Sequence, residues 1–188
     1  MWYEKTDRLE FSLPDHGLKV VMAGGGTGGH LFPAVAISEA LKAKVRDIQI
    51  HFVGSKYGIE ASKFPSGDDP FTLLNIRGFS RGFSVAAVAR NLLFPWRFLT
   101  AYWQSRQLLT HFSPDVVVGT GGYASGLPLL AAVHKKIPTL IHEQNSFPGF
   151  TTRWLADRVE RLCLSYEESA AYLKKKVSIS LAILCAKI

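Results

Sequence analysis

The sequence predicts an α/β fold built on a doubly wound parallel sheet. Short runs of β-branched and apolar residues alternate with stretches of helical character, as in proteins whose strands are joined by crossover helices. Glycine-rich loops follow two of these runs directly. The 188 residues, with 47% hydrophobic and 20% charged side chains, suit one globular domain with a core. Because no internal repeat interrupts the alternation, one layered sheet is expected to span the chain.

Strands and helices are expected to follow one another in order along the chain. The first strand is Leu18–Ala23, and Pro33 then suits the first turn of a helix, where proline needs no N–H. The further predicted strands are Ile48–Val53, Phe71–Ile76, Asp115–Gly119, Pro138–His142 and Arg161–Ser165. The predicted helices are Pro33–Lys44, one that starts near Pro95 within Asn91–Thr110, Leu127–His134, Phe150–Val159 and Glu167–Lys176.

The positive charge of the chain is unevenly distributed. Formal net charge is +7, yet the only charged residues from Phe71 to Pro114 are arginines, set among large apolar side chains. This composition suits an anionic membrane surface, whereas nucleic-acid surfaces are usually more polar and lysine-rich, so no nucleic-acid partner is expected. A packed helix with solvated arginines is the alternative. The candidate membrane patch comprises Arg90, Leu92, Leu93, Phe94, Trp96 and Arg97.

Several classes of protein are disfavoured by simple counts. The two cysteines, Cys163 and Cys185, form no C-x-x-C pair, which argues against a disulfide scaffold or a zinc finger and fits a reducing cytoplasm. The segment Met1–Gly17 lacks the basic start and apolar run of a secretory signal. No stretch approaches the ~20 apolar residues of a membrane span.

The first informative loop follows the first strand and reads Gly24-Gly25-Gly26-Thr27-Gly28-Gly29-His30. Glycines allow a tight turn and close approach of a ligand, and the N-terminus of the following helix favours an anion such as a diphosphate. The loop satisfies G-x-G-x-x-G, but the second strand ends in Val53-Gly54-Ser55-Lys56 without the acid that holds a ribose. A nicotinamide-dependent oxidoreductase is therefore disfavoured, and no Walker sequence is present.

His30 closes this loop where the helix begins. A histidine beside a ligand cleft can act as a general base near neutral pH. It can equally cap the helix or hold neighbouring groups in position, and the residues alone leave both roles open.

A second glycine loop, Gly119-Thr120-Gly121-Gly122-Tyr123-Ala124-Ser125-Gly126, leaves a buried strand and enters another helix. It has the same open backbone as the first loop, and the hydroxyls of Tyr123 and Ser125 could bind phosphate or sugar oxygens. Two such loops at strand ends of one small sheet predict a two-sided anion site more strongly than either does alone.

The third loop, His142-Glu143-Gln144-Asn145, places consecutive polar residues directly after an apolar strand. Glu143 could be a general base or an acceptor for a sugar hydroxyl, and Gln144 and Asn145 could bind sugar or amide groups. The alternative is a network that organises the loop, with Asn145 capping the next helix; for Gln144 this alternative is preferred. No metal motif accompanies these residues, so neither a metal nor a cofactor is expected.

Taken together, these motifs resemble the amino-terminal domain of the MurG-type glycosyltransferases. The resemblance runs from about Lys19 to Tyr172 and is specific because the motifs occur together in one order. They are Gly24–His30 continuing into Leu31-Phe32-Pro33-Ala34, Phe52-Val53-Gly54, Pro114–Gly119 running into Gly121-Gly122-Tyr123, and His142-Glu143-Gln144-Asn145.

The resemblance implies the amino-terminal, Rossmann-like half of a GT-B enzyme that transfers N-acetylglucosamine from UDP-N-acetylglucosamine to lipid I. It implies inverting, metal-independent chemistry at the cytoplasmic face of the bacterial inner membrane. His30 would be the base, with Glu143 as the competing candidate. Donor contacts would come from Thr27, Gly28, Gly29 and Asn145. The acceptor diphosphate would be held by Gly25, Gly26, Gly121, Gly122, Tyr123 and Ser125.

The chain departs from this family at both ends. Residues 1–17 precede the usual start, residues 18–176 form the expected acceptor-binding domain, and residues 177–188 do not resemble the usual connection to a donor domain. Because these last residues follow Lys174-Lys175-Lys176, a truncated or frameshifted gene product is one hypothesis. Without a donor domain the chain is expected to be inactive, and the alternative function is a membrane-associated module that binds a lipid diphosphate without catalysis.

Overall fold

The computed structural model describes residues 17–63, 68–78, 92–173 and 179–181. Its strands are β1 (Lys19–Ala23), β2 (Gln49–Ser55), β3 (Phe71–Leu74), β4 (Val116–Gly119), β5 (Thr139–Glu143), β6 (Arg161–Leu164) and β7 (Ile179–Leu181). Its α-helices are α1 (Gly28–Lys44), α2 (Glu60–Lys63), α3 (Phe94–Phe112), α4 (Gly122–His134) and α5 (Phe150–Leu155). A 3-10 helix spans Glu167–Tyr172.

All seven described strands pair in parallel, in the order β3-β2-β1-β4-β5-β6-β7. The chain builds the sheet outward from β1 to β3, returns to the centre, and builds outward again from β4. The predicted doubly wound parallel sheet is therefore confirmed. The winding reverses between β1 and β4, and in such sheets ligands bind in the crevice beyond the carboxyl ends of these two strands.

Both faces of the sheet are covered, as the alternation of side chains along β1 illustrates. Val20 and Met22 point into the core beneath α1, with Leu31 of that helix. Val21 and Ala23 point to the opposite core, which is closed by α3, α4 and α5. All four β1 side chains are fully buried, so the central strand is apolar on both sides, as parallel sheets require.

Helix α1 begins five residues earlier than the sequence predicts. Thr27 precedes the helix, and its carbonyl accepts the N–H groups of His30 at 3.2 Å and Leu31 at 3.1 Å. Pro33 consequently lies in the second turn rather than the first. The glycines of the first loop are therefore divided: the earlier ones form the turn, whereas Gly28 and Gly29 form the first turn of the helix.

Helix α4 also begins earlier than predicted, at Gly122 instead of Leu127. Small residues at its start allow it to pack closely against its neighbours, since a Cβ on Gly126 would already contact Thr151 and Trp154. Glycine and serine have low helix propensity, so the sequence does not predict this first turn of α4. Burial of Ala124 and Ser125 stabilises it in the folded chain.

The carboxyl-terminal elements are shorter than predicted. Helix α5 ends at Leu155 instead of Val159. The predicted helix Glu167–Lys176 is a 3-10 helix that ends at Tyr172, because Ser169 turns inward and its hydroxyl donates to the carbonyl of Asn145 at 2.7 Å. Residues 174–176 lie outside the described part of the chain. Strand β7 lies within residues 177–188, which the sequence analysis treats as separate from the domain, and it pairs with β6 at the edge of the sheet.

Candidate active site

The loops after β1 and β4 pack directly against each other at the reversal of the sheet. A Cβ on Gly24 would lie 2.0 Å from Oγ1 of Thr120, and that hydroxyl donates to the carbonyl of His30 at 2.7 Å. Gly26 has φ +92° and faces the ring of Tyr123, whose Cε1 would lie 2.7 Å from an added Cβ. The two loops predicted to share an anion site are thus in contact.

Glu60 is a buried acid beside the first loop that the sequence analysis did not identify. Its side chain is fully buried beneath the first loop, where both carboxylate oxygens accept the N–H of Gly26 at 2.9 Å. Oε1 also accepts the N–H of Ser55 at 2.7 Å. The Gly26 N–H, predicted to face a diphosphate, is therefore directed into the protein. A single glutamate in a polar loop carried no signal of this role.

The start of α1 is the part of the first loop that remains open. Thr27 and Gly29 are exposed, and a Cβ on Gly29 would meet only Oγ1 of Thr27, at 3.9 Å. The N–H groups of Gly28 and Gly29 have no hydrogen-bond acceptor among the described residues. A helix N-terminus with open N–H groups attracts an anion. Packing alone gives no reason for glycine at position 29.

His30 lies half-buried between the two loops, as the third residue of α1. Its Nδ1 is 3.1 Å from the carbonyl oxygen of Thr120 and 2.7 Å from Nε2 of Gln144. A Cβ on Gly121 would lie 2.8 Å from this Nδ1, and one on Gly122 would lie 3.1 Å from Cδ2. The second glycine loop is therefore shaped around the imidazole. Thr27, and not His30, occupies the cap position of the helix.

The two hydroxyl-bearing residues of the second loop occupy different environments. Tyr123 is half-buried and packs on Gly26 at the junction of the loops. Ser125 is fully buried, and its hydroxyl donates to the carbonyl of Gly122 at 3.0 Å. Ser125 therefore stabilises the first turn of α4, and its hydroxyl is directed away from the cleft.

Glu143 is buried at the end of β5 and holds the following loop together. Oε1 accepts the N–H of Asn145 at 3.1 Å and its side-chain Nδ2 at 2.8 Å. Oε2 accepts the N–H of Gly149 at 3.0 Å and the hydroxyl of Thr152 at 2.5 Å. The loop-organising network considered from the sequence is present, although Gly149 rather than Asn145 precedes α5. Asn145 itself is exposed, and its Oδ1 is directed to no partner in the described chain.

His142 and Gln144 flank this carboxylate and contain two buried atoms without a hydrogen-bond partner among the described residues: Nδ1 of His142 and Oε1 of Gln144. Burial lowers the pKa of His142, while the Glu143 carboxylate and the neighbouring Gln144 side chain raise it in part. The Nε2 atom of His142 lies 3.4 Å from the hydroxyl of Ser165. Burial therefore favours a neutral imidazole here.

The described part of the predicted membrane patch lies at the start of helix α3 and in the two residues that precede it. Leu92 is 76% exposed, Leu93 51% and Trp96 69%, whereas Phe94 and Arg97 are partly covered. Leu99 and Trp103, which the sequence analysis did not assign to the patch, extend it along the helix with about 60% exposure each. Arg90 lies outside the described residues. Within the described ranges, no helix is both long and apolar enough to cross a membrane.

Acid–base chemistry and anion binding are the two activities that this arrangement supports. The half-buried His30 imidazole stands beside an open helix N-terminus, which attracts negative charge. The described residues contain no group of three His, Cys, Asp or Glu side chains that could hold a metal ion. Glu60, the acid that follows β2, accepts hydrogen bonds from the backbone of Gly26 and Ser55, so its carboxylate is not free to hold the ribose of a dinucleotide.

Comparison with known proteins agrees with this geometry. Residues 20–163 match the model of the glycosyltransferase family 28 N-terminal domain. A curated relative from Chlorobaculum tepidum is 44% identical over 162 residues, which are 86% of this chain and 44% of that protein. Another, from Caldanaerobacter subterraneus, is 42% identical over 158 residues, 84% of this chain and 42% of that protein. Both are named UDP-N-acetylglucosamine–N-acetylmuramyl-(pentapeptide) pyrophosphoryl-undecaprenol N-acetylglucosamine transferase.

Solved structures show the same fold. The crystal structure of Acinetobacter baumannii MurG superposes with a TM-score of 0.71 at 28% identity, over 87% of this chain and 45% of that one. The UDP-GlcNAc 2-epimerase from Methanocaldococcus jannaschii has a TM-score of 0.55 at 14% identity over 82% of this chain and 41% of that one, and shows the fold alone.

The chain spans less than half the length of these curated relatives. The matched portion is the α/β half that contains both glycine loops, and it has the architecture of the amino-terminal half of a GT-B glycosyltransferase. The chain therefore belongs to glycosyltransferase family 28 and contains the N-terminal domain of that family.

Proposed function

We propose that this chain is the acceptor-binding half of a hexosyltransferase that moves N-acetylglucosamine from UDP-N-acetylglucosamine to lipid I, an undecaprenyl-diphosphate-linked acceptor. The observation that carries the proposal is the meeting of both glycine loops around His30 at the reversal of the sheet. The names of the curated relatives supply the substrate class. Residues 18–176 would form the acceptor domain, and a second domain would hold most of the donor.

The acceptor diphosphate would bind at the start of α1. The open N–H groups of Gly28 and Gly29 and the positive end of the helix would stabilise its charge. Gly25, Gly26, Gly121 and Gly122 serve this site indirectly, because they allow the loops to pack around Glu60, Tyr123 and His30. Tyr123, at the junction of the loops, remains a candidate hydroxyl for this site.

His30 is the better candidate for the catalytic base. In a single displacement, the base accepts the proton of the acceptor 4-hydroxyl while that oxygen attacks C1 of N-acetylglucosamine and UDP departs. Glu143 is poorly suited to this role, because it is 2% exposed and both carboxylate oxygens already accept two hydrogen bonds. Among the described residues, the His30 ring has hydrogen-bond partners only at Nδ1, so Nε2 is available to a substrate. No metal is required for this step.

The donor would bind across the exposed groups at the same edge. Thr27, at the cap of α1, and Gly28 and Gly29, in its first turn, would contact the donor. Asn145 would offer its exposed side-chain oxygen from the loop after β5. The donor phosphates and uracil need further contacts from a second domain. By themselves, residues 18–176 would therefore bind the acceptor with negligible turnover.

A membrane-bound acceptor requires the domain to sit at the lipid surface. The exposed side chains of α3, together with Arg97, would bind an anionic bilayer, since apolar burial and charge attraction act together there. The proposed location is the cytoplasmic face of the bacterial inner membrane, as a peripheral protein.

A domain exchange tests the proposal. Residues 18–173 would replace the matching N-terminal portion of the Chlorobaculum tepidum relative, and the chimera would be assayed with radiolabelled UDP-N-acetylglucosamine and a lipid I analogue. We expect transfer by the chimera and none by the 188-residue chain, which should still pellet with vesicles containing the acceptor. A folded chimera that transfers no sugar would contradict the proposal.

A further inference from the structure

The Nδ1 atom of His30 has two neighbours that require opposite roles of it. The Thr120 carbonyl oxygen, 3.1 Å away, can only accept a hydrogen bond, so Nδ1 must carry a proton to bind it. The side-chain Nε2 of Gln144, 2.7 Å away, can only donate, so Nδ1 must present a lone pair. One ring nitrogen cannot do both.

The backbone carbonyl is fixed, whereas a glutamine amide has two isosteric orientations. Rotating the Gln144 amide by 180° about its last bond places Oε1 beside Nδ1 of His30 and Nε2 where Oε1 was. Nδ1–H then donates to both Thr120 and Gln144 without conflict. The rotation also acts on the two buried atoms that lack partners, Oε1 of Gln144 and Nδ1 of His142. Oε1 then accepts a hydrogen bond from Nδ1–H of His30, and the amide N–H becomes available to a lone pair on Nδ1 of His142.

We propose that Gln144, oriented by His142, is a positioning residue that holds His30 with its proton on Nδ1 and a lone pair on Nε2. The inference rests on the proposed function, in which that lone pair accepts the proton of the acceptor hydroxyl. The opposite amide orientation would favour the proton on Nε2, which would make His30 a hydrogen-bond donor toward the cleft. Gln144 therefore decides which of two chemistries the site supports.

The surroundings of His142 are consistent with the same orientation. Because burial lowers its pKa, His142 is neutral at pH 8 and one of its ring nitrogens carries a lone pair. Its Nε2 lies 3.4 Å from the Ser165 hydroxyl, which can either accept from Nε2–H or donate to Nε2. When Nε2–H donates to Ser165, the lone pair is on Nδ1, where it can accept from an N–H of Gln144.

Nuclear magnetic resonance of the full 188-residue chain, labelled with 15N-histidine, tests the inference directly. At pH 8, where ordinary histidines are neutral, long-range 1H–15N correlations distinguish protonated from unprotonated ring nitrogens. We expect His30 to carry its proton predominantly on Nδ1. A proton predominantly on Nε2 would overturn the proposal, since Gln144 would then be the donor to Nδ1.

Two substitutions at position 144 and one control separate the contribution of Gln144 from that of Thr120. In Gln144→Glu the carboxylate can only accept hydrogen bonds, so His30 should retain the Nδ1–H form. Gln144→Leu removes the amide and should lower the ratio of Nδ1–H to Nε2–H forms several-fold, up to about tenfold, the effect of one net hydrogen bond. Gln104→Leu, the same change at an exposed position on α3, should leave the ratio unchanged. Identical ratios in all three variants and the original chain would overturn the proposal, because Thr120 alone would then set the tautomer.

This experiment is independent of sugar transfer. If His30 carries an Nδ1–H that depends on Gln144 but the chimera transfers no sugar, the positioning role is supported and the proposed transferase function fails. An Nε2–H tautomer in a chain whose chimera transfers sugar would refute the positioning role and leave the transferase function standing. Amide spectra of each variant establish that the fold is retained before the tautomers are compared.

Discussion

Both carboxylate oxygens of Glu60 lie 2.9 Å from the backbone nitrogen of Gly26, so a buried acid from the segment after β2 holds the glycine loop that follows β1. The same carboxylate accepts the N–H of Ser55 at the end of β2. One side chain thereby fixes the loop relative to the sheet. Because it occupies the Gly26 N–H, our proposal places the anion at the start of α1 and not at the preceding turn.

Replacing Glu60 tests this role. Glu60→Leu leaves the N–H groups of Gly26 and Ser55 buried without acceptors, and we expect it to lower the free energy of unfolding by about 2–5 kcal/mol. Glu60→Gln retains one oxygen and should cost clearly less. Urea unfolding of the three chains measures the difference. Equal stability of the leucine variant and the original chain would show that the carboxylate does not support the loop.

Gly29 and Gly121 are glycines for different reasons, and alanine should distinguish them. At Gly29 a Cβ has open space, so Gly29→Ala should maintain or raise stability by up to about 1 kcal/mol while it weakens binding of a lipid diphosphate. At Gly121, φ is +99° and a Cβ would lie 2.8 Å from His30, so Gly121→Ala should destabilise the fold. Thermal unfolding and vesicle pelleting measure both effects. Undiminished pelleting of the Gly29 variant with acceptor vesicles would argue against an anion at α1.

Stability should fall on mild acidification. Burial lowers the pKa of both His51 and His142 in the folded chain, below the usual value near 6.5. As pH falls below that value, the unfolded chain takes up protons before the folded chain does, so the folded state loses stability. The urea midpoint should therefore be lower at pH 5.5 than at pH 7.5. His51→Gln, which keeps a polar partner for Thr72, should reduce this loss; an undiminished loss would exclude His51 as a source.

The exposed side chains of α3 should determine binding to anionic vesicles. Trp96→Glu places a negative charge in the patch and should weaken pelleting with such vesicles roughly tenfold. Gln49→Glu makes a similar change in charge at the amino end of β2, which is the opposite edge of the sheet, and should have little effect. Equal weakening by both variants would indicate a response to net charge and not a localised membrane surface.

Much of the fold was predictable because the strands of this sheet carry clear local signals. Val20 to Ala23 and Val116 to Val118 are continuous apolar runs, which is typical of strands buried on both faces. The helix starts at Gly28 and Gly122 were not predictable from propensity. Glycine disfavours helices, and its presence at these starts is explained only by contacts in the folded chain: a Cβ on Gly122 would lie 2.1 Å from the carbonyl oxygen of Gly25, and one on Gly28 would lie 3.0 Å from the ring of Phe32.

The candidate site was predictable in outline and less so in its contacts. The glycine patterns and His30 indicated one edge of the sheet, and the structure shows that the two loops are in contact there. The sequence could not show that Glu60 reaches Gly26 across 34 positions, or that Glu143 is enclosed by its own loop. Such contacts depend on the register and packing of β2 and β5, which short-range patterns do not encode.

The most direct test of the central claim is sugar transfer by the chimera with and without His30. We expect His30→Ala to lower kcat by about 10²–10⁴-fold, as loss of a general base does, while the acceptor still binds. Glu143→Gln, chosen as the matched comparison, should act mainly on stability. A loss below about tenfold for His30→Ala, with a much larger loss of kcat in a folded Glu143→Gln chimera, would contradict the assignment and place the base at Glu143.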